Sequence, residues 1–86
     1  MANHPSAKKR HRQSLRRQAR NRHVSSTVRN AVRRFRAAAA AGDPDREAHF
    51  RSAERLLRKA ATGGVLHGKT VSRTVSRLHK LLSSAG

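Results

Sequence analysis

Lys8, Lys9, Arg10, Arg12, Arg16, Arg17, Arg20 and Arg22 place eight fixed positive charges within fifteen positions. Arg29, Arg33, Arg34 and Arg36 continue the series, and no acid, Pro or Gly interrupts it from Lys8 to Arg36. The chemistry open to such a run is anion binding. Guanidinium groups grip phosphate oxygens through paired N–H bonds and stack on base faces, and arginine outnumbers lysine sixteen to five. A charge run is ordinarily just a solvated face with acids interleaved. Here the acids are missing, and the net charge of +17 over 86 residues exceeds what solubility requires. The implied partner is a polyanion, held with an affinity that falls steeply with salt as counterions are released. Lys69, Arg73, Arg77 and Lys80, at i, i+4, i+8 and i+11, form a second basic ridge.

Other chemistries find little support. His4, His11, His23, His49, His67 and His79 never form an i,i+4 pair, and with no cysteine the chain offers neither a thiolate metal site nor a disulfide. No metal site and no cofactor are expected. Asp43, Asp45, Glu47 and Glu54 lie in one stretch, where they cap a helix or pair with arginine. No nucleophile–base–orienter grouping and no glycine-rich phosphate loop is visible, so neither a catalytic residue nor a small-molecule substrate is expected. The longest apolar run, Ala37 to Ala41, is far below the ~20 residues that span a bilayer. The basic amino terminus leads into no apolar run, which argues against a secretory signal. The segment Lys8 to Arg22 also lacks the Trp, Phe or repeated Leu that seats a helix on a membrane surface. Phe35 and Phe50 fall on apolar stripes and are expected in a core, not stacked on bases.

The elements that must position these charges are helical, because no period-2 alternation occurs. Gly42-Asp43-Pro44 and Gly63-Gly64 punctuate the chain. Glycine suits the left-handed residue that ends a helix, Asp43 suits an N-cap, and Pro44 suits a first helical position. The predicted helices run from about 6 to 41, with Ser6 or Asn3 as the cap, from about 44 to 61, and from about 67 to 83. The first carries an apolar stripe only in its second half (Val24, Val28, Ala31, Val32, Phe35, Ala38, Ala39). Its amino half has Ala7, Leu15 and Ala19, too few apolar residues for a buried face. The second helix buries Phe50, Ala53, Leu57, Ala60 and Ala61, with Leu56 at the border, and pairs Glu47 with Arg51 and Glu54 with Arg58. The third turns Val71, Val75, Leu78 and Leu82 inward, aided by Val65 and Leu66. His67 stands at its entry, placed to cap the turn or to reach a phosphate. Short connections make sequential helices antiparallel neighbours. The expectation is an all-α fold: one domain over 1–86, an antiparallel three-helix bundle with a long, protruding basic first helix.

Like charges at i,i+4 (Lys8/Arg12, Arg12/Arg16, Arg16/Arg20) and the unfavourable macrodipole at Lys8, Lys9 and Arg10 oppose helicity of the overhang. Residues 1 to about 22 are therefore expected to be frayed without a partner. Neither ridge resembles a duplex-reading motif, and shape and backbone recognition of structured RNA fits better.

Several stretches in order, Met1-Ala2-Asn3, Ser6-Ala7-Lys8-Lys9-Arg10, Lys9 through Arg17 followed by Asn21, Ala41-Gly42-Asp43 and Gly64-Val65-Leu66-His67, resemble the bacterial small-subunit ribosomal protein twenty family. The likeness spans essentially the whole chain. It implies a cytoplasmic structural component of the 30S subunit, without catalytic activity or cofactor. The implied partner is 16S ribosomal RNA, bound early in assembly along its 5′ domain and near the long penultimate helix of the 3′ minor domain. By the resemblance, contacts fall at Lys8, Lys9, Arg10, Arg12, Gln13, Ser14, Arg16, Arg17, Asn21, His67 and Arg73. The basic ridges add Arg20, Arg22, Lys69 and Arg77. Two departures stand out: Gly68-Lys69-Thr70 replaces a frequent basic-Asn-basic triplet, and Pro5 stands where a basic residue is frequent. No membrane partner and no homo-oligomer is expected. The alternative is a nucleoid protein that compacts DNA without sequence preference.

Overall fold

Three helices make up the computed structural model: α1 (Pro5–Ala41), α2 (Arg46–Thr62) and α3 (Gly68–Ala85). The structure describes residues 5–85, and side chains from 6 to 84. No strand occurs among them. The chain is all-α, with α2 packed against both other helices and α1 touching α3 more sparingly.

One apolar stripe from each helix builds the core. Val28, Phe35 and Ala39 from α1 meet Phe50, Ala53, Leu57 and Ala60 from α2 and Val71, Val75 and Leu78 from α3. Phe35 and Leu78 are the largest side chains sealed from solvent. Phe35 meets Phe50 edge to face with ring centroids 5.6 Å apart, and Phe50 meets His79 of α3 at 5.8 Å. The two phenyl rings thus tie α1 to α2, and the His79 ring covers the outer side of Phe50. Val24, Ala31, Val32, Leu56, Val65, Leu66 and Leu82 pack half-buried around this centre.

Both helix stops are glycine-ended turns of one type. At the end of α1, Gly42 adopts φ +67°. Its N–H donates to Ala39 O at 3.3 Å, and the N–H of Asp43 donates to Ala38 O at 2.9 Å. At the end of α2, Gly64 adopts φ +78°. The N–H groups of Gly64 and Val65 then donate to Ala61 O and Ala60 O at 3.1 and 2.9 Å. These are Schellman closures, which satisfy carbonyls that a helix end otherwise leaves unpaired. The second closure folds Val65 and Leu66 back onto the core.

Two helix starts differ from the sequence reading. α2 begins at Arg46, not at Pro44. The Asp43 carboxylate accepts from the N–H of Asp45 at 2.8 Å, and Asp43 O accepts from the N–H of Arg46 at 3.1 Å. Asp43 therefore caps a preliminary turn, and Pro44 lies inside that turn, not in the helix. α1 already includes Pro5, so Ser6 sits in its first turn and not at its cap; Asn3, the other candidate cap, lies outside the described residues. At α3, the His67 ring Nδ1 accepts from the N–H of Lys69 at 3.1 Å, so His67 is the cap.

The molecule is elongated. Its radius of gyration is 17.3 Å, with extents of 60 × 21 × 14 Å, against about 12 Å expected for a compact chain of this length. The excess is α1, whose 37 residues rise about 55 Å in all. Its amino half, before Val24, overhangs the bundle.

Candidate nucleic-acid interface

Every described side chain from Ser6 to Arg20 is exposed, and burial along α1 starts only with Asn21 and Val24. The cause is visible in a single line of positions. Arg10, Ser14, Arg17, Asn21, Val24, Val28, Ala31, Phe35 and Ala38 alternate spacings of four and three, and so lie along one seam of the helix. In the carboxyl half this seam is apolar and faces α2 and α3. In the amino half the same seam is Arg, Ser, Arg and Asn. No protein face can cover it without stripping water from two guanidinium groups, and an isolated buried charge is costly. The helix keeps its direction past the end of the bundle, and its chemistry changes.

Around that overhang the cations are not confined to a stripe. Successive residues of a helix turn by about 100°, so Lys8, Lys9, Arg10, Arg12, Arg16, Arg17, Arg20 and Arg22 spread over roughly two thirds of the circumference. Gln13, Ser14 and Asn21 lie among them with neutral donors and acceptors. Charges displayed over so wide an arc suit a partner that wraps the rod, or two partners on different sides. The side chains of Lys9, Arg12, Gln13 and Arg16 bound one shallow depression, and those of Gln13, Arg16, Arg17 and Arg20 bound the next. Among the described residues only two ion pairs occur, both on α2: Arg51 with Glu47 at 2.8 Å and Arg58 with Glu54 at 3.7 Å. Both are largely exposed i,i+4 pairs, worth a few tenths of a kcal/mol each. Every acid sits in α2 or the turn before it, and among the described residues none pairs with a cation of α1 or α3.

The second group lies on the bundle. Lys69, Arg73, Arg77 and Lys80 are exposed, on the face of α3 opposite Val71, Val75 and Leu78. His67 is exposed beside them. With Nδ1 accepting from Lys69, the proton of a neutral ring resides on Nε2, which is a donor facing outward. The same residue can thus cap α3 and donate to an anion. The two groups lie on different helices: one on the overhang of α1, the other along the exposed face of α3.

The list of site residues drawn from the sequence left out Arg29, Arg33, Arg34 and Arg36, although the charge run contains them. All four are exposed. Arg22, Arg29, Arg33 and Arg36 follow at i, i+7, i+11 and i+14, extending a basic line from the overhang along the outer side of α1. Its signal was the gap between basic and apolar positions of one helical wheel. Among the described residues no group of His and acids is arranged to hold a metal ion, and no helix is long and apolar enough to cross a membrane.

Comparison with known proteins adds the deciding observation: the family model for ribosomal protein S20 matches residues 2–83. The chain belongs to the ribosomal protein S20 family. Its relatives include the small ribosomal subunit protein bS20 of Syntrophotalea carbinolica, 47% identical over 87 residues and covering all of both chains. That of Anaeromyxobacter dehalogenans is 49% identical over 81 residues, covering 93% of this chain and 88% of the relative. That of Solidesulfovibrio magneticus is 46% identical over 86 residues, covering 99% of this chain and 97% of the relative. The family resemblance read from the basic and glycine motifs agrees with this match.

Proposed function

We propose that the amino half of α1 is an electrostatic staple on 16S ribosomal RNA and that the bundle sets the direction in which the staple points. The chain is a structural constituent of the small ribosomal subunit, not an enzyme, and it acts in the cytoplasm as part of the ribosome. One observation carries the staple reading: an acid-free helical overhang, exposed from Ser6 to Arg20, with cations around most of its circumference. RNA segments that come close repel through their phosphates. A rod of guanidinium groups between them replaces that repulsion with paired, charge-assisted hydrogen bonds.

The proposed RNA contacts are Lys8, Lys9, Arg10, Arg12, Arg16, Arg17, Arg20 and Arg22 for phosphates, with Gln13, Ser14 and Asn21 as neutral partners between them. His67, Lys69, Arg73 and Arg77 form a second contact from α3. The proposed RNA elements are the 5′ domain along α1 and the long penultimate helix of the 3′ minor domain nearby. If all eight cations between Lys8 and Arg22 meet phosphates, the logarithm of affinity falls with the logarithm of salt at a slope of roughly −6 to −7. The chain acts as one RNA-binding domain in this reading. Family membership runs against the DNA-compacting alternative, and nothing in the fold favours it.

A competition assay at near-physiological salt tests the reading. Labelled protein is offered a 5′-domain fragment of small-subunit ribosomal RNA against equal lengths of duplex DNA and unrelated structured RNA. Strong preference for the ribosomal fragment is expected. Equal binding to all three would reduce the protein to a generic polycation and overturn the proposal.

A further inference from the structure

We infer that the groove where α1 leaves the bundle receives one unstacked nucleobase of the bound RNA, an assignment that rests on the RNA-binding reading above. The groove, of about 540 Å³, lies between α1, the end of α2 and the turn at Gly63. Val24, Leu56 and Val65 form its floor, each half-buried and packed against the core. Its rim carries Arg20, His23 and Lys59, all exposed, and no acid lines it.

This combination selects the occupant. An apolar protein segment would need no cations such as Arg20 and Lys59 at the rim, and a bare phosphate would need no apolar floor. A nucleotide needs both, because its base has an apolar face and its backbone carries a charge. Bases taken out of a stack are held between apolar or aromatic side chains, with polar groups at their edges. Thr27 and Thr62, which also line the groove, commit their hydroxyl protons to His23 O at 2.9 Å and Arg58 O at 3.0 Å. Each hydroxyl therefore offers only acceptor lone pairs to an occupant, which suits a base bearing an exocyclic amino group.

A path for the strand leads in. Lys9, Gln13, Arg16 and Arg20, at i, i+4, i+7 and i+11, climb one side of α1, and Arg20 belongs both to the last depression on that side and to the rim of the groove. A sugar–phosphate backbone following these side chains arrives at the groove with its phosphate on Arg20 and its base over Val24 and Leu56. The groove thus turns a charge-tracking helix into one with a register, since its floor is made of side chains packed against the core, which the depressions on the overhang lack.

The test uses the full-length protein with methyl and arginine side-chain labelling for NMR, and two probes: an adenosine hexaribonucleotide and an abasic hexamer with the same number of phosphates. The adenosine hexamer is expected to shift the methyl signals of Val24, Leu56 and Val65, and the abasic hexamer to perturb only Arg16 and Arg20. Leu56→Ser, checked for unchanged helical circular dichroism, should weaken the adenosine hexamer roughly ten-fold and leave the abasic one unaffected. Leu56→Met should restore binding. Equal methyl shifts from both hexamers would overturn the base assignment, as would an adenosine hexamer that engages the arginines without moving the groove methyls. Either result leaves the RNA-binding reading standing. Failure of both hexamers to reach Arg16 or Arg20, with no ribosomal preference in the competition assay, would sink that reading as well.

Discussion

The two halves of α1 are one continuous helix with opposite surfaces. From Val24 to Ala39 its inner seam is apolar and closes the bundle, with Phe35 sealed from solvent. From Arg10 to Arg17 the same seam is polar and exposed. Backbone geometry is shared, so the difference lies in the side chains alone. Tertiary packing supplies most of a helix's stability in a protein, and only the carboxyl half has it. On the proposed reading, the amino half gains its stability from the RNA it binds. A staple of this kind is anchored at one end and completed by its target at the other.

The comparison breaks most visibly if core and overhang exchange their effects. Leu57, almost wholly buried on α2, is expected to cost about 2–4 kcal/mol when replaced by Ala. Thermal denaturation should show this as a large drop in melting temperature, with RNA affinity lost only as far as unfolding demands. Arg16→Ala combined with Arg17→Ala should do the opposite. A salt titration of binding to the 5′-domain fragment should show the slope reduced by up to about 2, while the melting temperature hardly moves. If the double arginine variant unfolds the bundle, the division of labour is wrong.

A smaller effect sharpens the boundary at the other end of α1. Gly42→Ala meets no neighbouring atom, so its cost is purely that of holding a side chain at φ +67°, about 1–2 kcal/mol. Chemical denaturation reads it directly. The smallest change concerns α2, where Glu54→Gln removes the longer of the two exposed ion pairs. Stability should fall by no more than a few tenths of a kcal/mol. A larger loss would mean that α2 depends on its charges more than on Phe50, Ala53 and Leu57.

Much of this architecture was legible in the sequence because its signals are periodic or conformationally forced. Val24 through Ala39 repeat at helical spacing, and Gly42 and Gly64 occupy the two positions with positive φ among the described residues. The absence of apolar partners before Val24 announced the overhang. The start of α2 was misplaced because Asp43-Pro44 satisfies the rules of a cap and of a preliminary turn equally well, and only the hydrogen bonds to Asp45 and Arg46 separate them. Both readings left open for His67 concern one ring with two nitrogens, and the structure engages only Nδ1. The groove was not legible at all. Val24, Leu56 and Val65 are 32 and 9 positions apart in turn, and each reads singly as the edge of a core stripe. Only the crossing of α1 over the end of α2 brings them beneath Arg20 and Lys59.

The most direct measurement is residue-resolved hydrogen exchange on the protein alone and bound to the 5′-domain fragment. Amides from Val28 to Ala39, Phe50 to Ala60 and Val71 to Leu78 should exchange slowly in both states. Those from about Arg10 to Arg22 should exchange quickly in the free protein and slow markedly on the RNA. Equal protection of both halves in the free protein, or RNA-dependent slowing confined to α2, would contradict the account.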